Sequence, residues 1–220
     1  MISEFSTFVF DCDGVILDSN RVKTDAFRTA ARFYSEAAAD ALVAYHVSNG
    51  GISRYEKFRY FIDEILPNFP ASDAGMSLEG LLKDYADAVR DGLMSCAIAP
   101  GLAQLRILTS GTRWLIVSGG DQRELNDIFV ARGIASYFDG GIFGSPDNKD
   151  IILTRELETG NIERPALFLG DSRYDHVAAM RAGIDFLFVS NWSEMPDWPN
   201  YLSREGIRSI PGVQDLLSSF

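Results

Sequence analysis

The stretch that decides the fold is "FVFDCDGVILDSN", residues 8–20. An apolar, strand-forming run stops at Asp11. A second acid follows at Asp13, then Gly14, then a third acid at Asp18. A strand without polar alternation reads as one buried on both faces, as in a parallel sheet covered by helices. In open sheets of that kind, ligands bind beyond the carboxyl ends of the strands. Acids crowded at such an end repel one another unless a cation or a proton relieves them.

Three further runs carry the same signal: "RWLIVSG" (113–119), "ALFLGDS" (166–172) and "DFLFVSN" (185–191). With "TFVFD" (7–11) they predict four buried parallel strands, each ending on Gly, Asp, Ser or Asn. Helical patterns separate the later strands. "DQRELNDIFVARGI" places Leu125, Ile128, Phe129 and Ile134 on one face, with Gly133 as its stop. "NKDIILTRELETG" and "RYDHVAAMRAGI" repeat the logic and stop at Gly160 and Gly183. The alternation predicts an α/β fold, a Rossmann-like parallel-sheet core.

Residues 19–95 break the alternation. "RVKTDAFRTAARFYSEAA", "SRYEKFRYFIDEIL" and "LEGLLKDYADAVRDGLM" all read as helices. They predict a helical cap domain inserted after the first strand, with the core formed by residues 1–18 and 96–220. Hinges fall near 17–20 and 94–99. No internal repeat or low-complexity segment is visible.

Composition narrows the function. Hydrophobic residues make up 46% and charged residues 23%, as in ordinary globular chains. The formal net charge is −11, so the basic footprint of a nucleic-acid binder is absent. An anionic substrate would need a local cation. No apolar run is long enough to span a bilayer, and "MISEFSTFVF" lacks the pattern of a signal peptide. Two cysteines, Cys12 and Cys96, make no disulfide framework. A cytoplasmic location is the expectation.

If the strands lie side by side, Asp11, Asp13, Ser118, Asp171 and Asp175 converge, and Lys149 joins them from the start of the next helix. Four carboxylates with no His or Cys cluster point to a hard divalent ion, Mg²⁺ first. An EF-hand is excluded: Gly14 stands fourth where that loop needs it sixth, and Val22 stands twelfth where it needs Glu. No Walker A, GxGxxG or GxSxG motif is present.

The set "FDCDGVILDS", "LIVSGG", Lys149 in "SPDNKDII" and "FLGDSRYDHVAAMRAGI" resembles the four motifs of the haloacid dehalogenase superfamily, in order and in spacing. The helical insertion resembles the C1-type cap of its phosphoglycolate phosphatase and β-phosphoglucomutase branch. The resemblance implies that Asp11 is a nucleophile forming an aspartyl-phosphate and that Asp13 is the general acid and base. It implies Mg²⁺ on Asp11, the Asp13 carbonyl and Asp171, with Asp175 direct or through water. Ser118 and the Gly119 N–H would hold phosphoryl oxygens, and Lys149 would neutralise charge. "NGGISRYEKF" is similar to the specificity loop of that branch, so Arg54 would reach a distal anionic group on the substrate.

The expected function is therefore a Mg²⁺-dependent phosphatase of a small phosphorylated metabolite. The alternatives are a β-phosphoglucomutase-like phosphomutase and a non-enzymatic phospho-ligand-binding scaffold. The mutase branch carries a His where this chain has Lys23, which disfavours the former. Lys23 itself reads as a surface charge, Asp18 with Ser19 as a hinge or helix cap, and His46 as a satisfied, partly buried residue. Cys12 reads as core packing, and Trp192 and Trp198 as packing of a long loop that leaves the carboxyl end of a strand, in a position to rim the site.

Overall fold

The computed structural model describes residues 4–69 and 77–219. Residues 1–3, 70–76 and 220 therefore lie outside the description, including part of the predicted insertion. A six-stranded parallel sheet forms the core: β1 (Thr7–Phe10), β2 (Arg113–Asp121), β3 (Ile142–Ser145), β4 (Ala166–Gly170), β5 (Asp185–Val189) and β6 (Ser209–Ile210). Its order is β3-β2-β1-β4-β5-β6, which puts β1 between β2 and β4.

Alternation along each strand builds two cores, one on each face of the sheet. Phe8 and Phe10 of β1, Trp114 and Ile116 of β2, and Leu167 and Leu169 of β4 share one cluster. The intervening Val9, Leu115, Val117, Ala166 and Phe168 share the other. The Phe10 and Trp114 rings pack at 4.8 Å between centroids. Each fully buried aromatic of this kind contributes about 2–3 kcal/mol.

The four predicted strands are all present. Two more were not anticipated. β3 lies just before the segment that leads into Lys149, where no strand was predicted, and β6 is only two residues long. Both sit at sheet edges, where few neighbours impose a pattern.

Helices α1 (Asn20–Ala31), α2 (Glu36–Ser48), α3 (Arg54–Tyr60), α4 (Leu78–Ser95) and α5 (Leu102–Leu108) lie between β1 and β2. The single helix expected over residues 21–38 is broken. Ser35 is extended, and its hydroxyl accepts from the Ala38 N–H, so it ends one segment and caps α2. Helices α6 (Gln122–Ala131), α7 (Lys149–Glu158), α8 (Arg173–Ala182) and α9 (Trp198–Glu205) follow β2, β3, β4 and β5. The chain leaves and re-enters the sheet side by side. Asp18 N–H donates to Ala97 O, and Ala99 N–H to Ile16 O, both at 2.9 Å. No described helix is long and apolar enough to cross a membrane.

Candidate active site

The carboxyl ends of β1, β2 and β4 open onto a cleft of about 530 Å³, roofed by α1–α4. Asp11 follows the last residue of β1, and its N–H donates to Leu169 O of β4. Asp171 follows β4, and Lys149 opens α7. Parallel pairing therefore brings residues 138 and 160 positions from Asp11 to its side. The Lys149 Nζ lies 2.9 Å from Asp11 Oδ1 and also pairs with Asp175 Oδ1. The Cys12 N–H donates to Asp11 Oδ1 as well, at 2.7 Å.

Asp11, Asp171 and Asp175 each offer an oxygen within 4.8 Å of the others, and all three are buried. Burial raises the Asp11 carboxyl to about 7 even though the Lys149 ammonium pulls it down. Burial, then the charges of Asp11 and Asp175, push Asp171 well above the ordinary carboxylate range. Three buried carboxylates face one ammonium, an imbalance that a divalent cation on oxygen ligands corrects. The donor set thus fits Mg²⁺.

Asp175 spends its oxygens on other partners too. Oδ2 accepts from the N–H groups of Asp171 and Ser172 and from the Ser172 hydroxyl, while Oδ1 holds Lys149. Ser172 returns the bond by capping α8 in a reciprocal box. The sequence "GDSRYD" thus fixes the turn that carries Asp171 and orients Lys149.

Asp13 turns the other way from Asp11. Gly14, at φ +75°, makes the separation possible. A Cβ there would stand 2.2 Å from Asp171 Oδ2 and 2.4 Å from Asn20 Nδ2. Asp13 instead accepts from Ser19 Oγ and from Lys23 Nζ, both at 2.6 Å. Burial favours its neutral form, but the Lys23 charge and these two hydrogen bonds outweigh that and hold it below the usual value. Asp13 is thus ionised in this arrangement. Lys23 is correspondingly not a surface charge: it is 8% exposed and aimed at the site. Ser19 spends its hydroxyl on Asp13 and Leu17 O and makes no side-chain cap to α1. Asp18 is exposed and outside the site.

Ser118 is fully buried within β2, three residues before its end, and its Oγ accepts from the Gly120 N–H at 3.0 Å. Gly119 lines the cleft. A Cβ on Gly119 would meet Gly51 O at 2.2 Å, so the "NGGIS" loop lies directly on this strand end. Arg54 also lines the cleft, but its guanidinium is engaged. It pairs with Glu124 at 2.9 Å, sits 3.8 Å from Asp121, and lies over the Tyr85 ring. It ties the helical insertion to the start of α6.

Other residues of the site were not singled out from sequence. Asn20 Nδ2 bridges Asp171 Oδ2 (2.7 Å) and Trp192 O (2.8 Å). Ser193 Oγ donates to Asp171 O at 2.6 Å, so the loop after β5 rims the site. Lys57 and Tyr85 line the cleft from α3 and α4. His46, read as a satisfied residue, lines it too. The hydrophobic-face pattern of α1, α3 and α4 gives no warning of these, because a lysine or tyrosine at a helix face is ordinarily solvated.

Comparison with known proteins agrees with this geometry. The chain matches the family model "haloacid dehalogenase-like hydrolase" over residues 5–183. No curated protein matches it. Among solved structures, a haloacid dehalogenase-like family protein from Streptococcus pneumoniae is 19% identical, with TM-score 0.68 and full coverage of both chains. A predicted phosphoglycolate phosphatase from Haemophilus somnus is 16% identical, with TM-score 0.77, covering 98% of this chain and 97% of that one. CbbY from Rhodobacter sphaeroides, solved with phosphate, is 18% identical, with TM-score 0.69 and 96% of both chains covered. At these identities the structures share the fold. Because the family model spans both the Asp11 and the Asp171 strand ends, the chain belongs to the haloacid dehalogenase-like hydrolases.

Proposed function

We propose that the chain is a phosphomonoester hydrolase acting on a small phosphorylated metabolite. Its catalytic core is residues 1–18 and 96–220, and residues 19–95 form a cap over the cleft. The observation that carries this reading is the Asp11–Lys149 pair at the head of β1, with Asp171 beside it. The cleft volume, about 530 Å³, suits a metabolite-sized ligand.

Lys149 and the Cys12 N–H both engage Oδ1 of Asp11, which leaves Oδ2 as the attacking atom. The arriving phosphoryl dianion draws a proton from solvent onto Asp13; attack then forms an Oδ2–P bond and breaks the bond from phosphorus to the leaving oxygen, which takes that proton from Asp13. Water then attacks the phosphorus and gives its proton to Asp13, releasing phosphate and Asp11. The ionised Asp13 held by Lys23 is the form that accepts that second proton. Ser118 Oγ already accepts from Gly120 N–H, so its own proton is free to donate to a phosphoryl oxygen, alongside the Gly119 N–H. Lys149 offsets charge on the phosphoryl group. Asp11, the Asp13 carbonyl and Asp171 would hold Mg²⁺, with Asp175 near, and the bound ion would add positive charge at the phosphoryl oxygens.

The test is turnover of p-nitrophenyl phosphate with and without Mg²⁺. Mg²⁺-dependent release of phosphate is expected. A folded protein inactive across a broad pH range would instead be a binding scaffold. Isomerisation of a sugar 1-phosphate without phosphate release would mark a phosphomutase.

A further inference from the structure

Of the lysines on the cleft, Lys57 differs from the rest. Lys23 pairs with Asp13, and Lys149 with Asp11 and Asp175. Lys57 is 2% exposed and has no ion-pair partner among the described residues. Its Nζ meets His46 Nδ1 at 2.7 Å and lies 5.5 Å from the centre of the Phe27 ring. His46 packs on the same ring at 4.5 Å, and Tyr85 at 4.6 Å.

Lys57, His46 and Tyr85, which pack on Phe27, can each donate a hydrogen bond. With Lys57 donating to Nδ1, the His46 ring carries its proton on Nε2. Burial, with Lys57 and Lys23 nearby, keeps that ring neutral, well below the ordinary histidine value. Burial raises the Tyr85 hydroxyl, so it keeps its proton. Lys57 retains two further N–H groups. Buried cations without a counter-ion are costly. Burial and the Lys23 charge lower the Lys57 ammonium to about 7 although the Asp13 and Glu56 carboxylates pull it up, a cost that an anion in direct contact would remove. Arg54, expected to meet a distal anion, is already neutralised by Glu124.

We infer that Lys57, His46 and Tyr85, grouped around Phe27, form a subsite for a second anionic group of the substrate, a carboxylate or a phosphate. This rests on the hydrolase reading and deepens it: the substrate is a phosphomonoester with an anionic tail. The second charge is recognised by α2, α3 and α4, across the cleft from Asp11.

The experiment compares kcat/KM within matched pairs that differ only in the tail. Phosphoglycolate is set against 2-hydroxyethyl phosphate, and 3-phosphoglycerate against glycerol phosphate. A third pair sets propanediol bisphosphate against 3-hydroxypropyl phosphate, so that carboxylate and phosphate tails are distinguished. The anionic member of at least one pair is expected to be favoured about tenfold or more, the worth of a charge-assisted hydrogen bond. Lys57→Gln should collapse that ratio. Equal kcat/KM within every pair overturns the subsite and leaves the hydrolase reading standing. No turnover of any member overturns both. A folded Lys57→Gln protein that keeps the full ratio overturns the role of Lys57. If that variant does not fold, Lys57→Met is measured in its place, and the wild-type ratios decide the subsite by themselves.

Discussion

The two walls of the cleft are built on different rules. On the sheet side, charges are matched across strands: Lys149 to Asp11 and Asp175, and Asp175 in turn to the 171–172 backbone. On the helical side, one cation is left without an ion pair among the described residues. Lys23 and Arg54 reach across to acids of the core, and Lys57 reaches none. The difference teaches where chemistry ends and selection begins. On the proposed reading, the sheet side holds groups that any phosphomonoester would need, while the helical side holds a cation that only some substrates would satisfy.

The largest effect should come from the sheet side. Asp11→Asn is expected to lower turnover by about 10⁴-fold or more while circular dichroism stays unchanged. A rate within tenfold of wild type would remove Asp11 from its role. Lys149→Met comes next, with kcat lower by about 10²–10³-fold. It should also lose about 3–5 kcal/mol of stability in denaturant titration, because two buried carboxylates are left without their cation. A stability loss under 1 kcal/mol would mean that the pair is not the keystone of this wall.

Chelation sharpens the comparison through pH. Asp11 moves from an ordinary 3.8 up to about 7 on folding, so between those values the folded protein binds more protons than the unfolded one. Stability without a cation should therefore be full below about pH 4 on account of this group and fall as pH rises through 7. Asp171, raised for the same reason, acts in the same direction. Added Mg²⁺ should then raise Tm more at pH 8 than at pH 5. Equal stabilisation at both would place the ion elsewhere.

The helical wall predicts the smallest effect, with the opposite sign. Lys57→Met removes a buried ammonium and should raise Tm by a few degrees. A gain in stability with a loss of discrimination is the signature of a group kept for function. A fall in Tm would indicate that the Lys57–His46 contact is structural.

The legibility of the sequence follows the same division. Asp11, Asp171 and Lys149 could be read because strand ends and helix starts in a parallel sheet converge by topology, whatever the loops do. β1, β2, β4 and β5 were visible as unbroken apolar runs. The edge strands β3 and β6 were not, being short and paired on one side. Lys23, Lys57 and Tyr85 gave no signal. Their burial comes from how α1, α3 and α4 pack, which depends on contacts between segments far apart in sequence. Arg54 was legible as a cleft residue, but its engagement by Glu124 was not, since that acid lies 70 positions away.

The central claim is that Asp11 carries the phosphoryl group during turnover. Acid quench of the enzyme during steady-state hydrolysis, followed by peptide mass spectrometry, tests it directly. A phosphoryl adduct on the peptide containing Asp11, absent in Asp11→Asn, is the predicted result. Turnover with no adduct, or with the adduct on another residue, would contradict it.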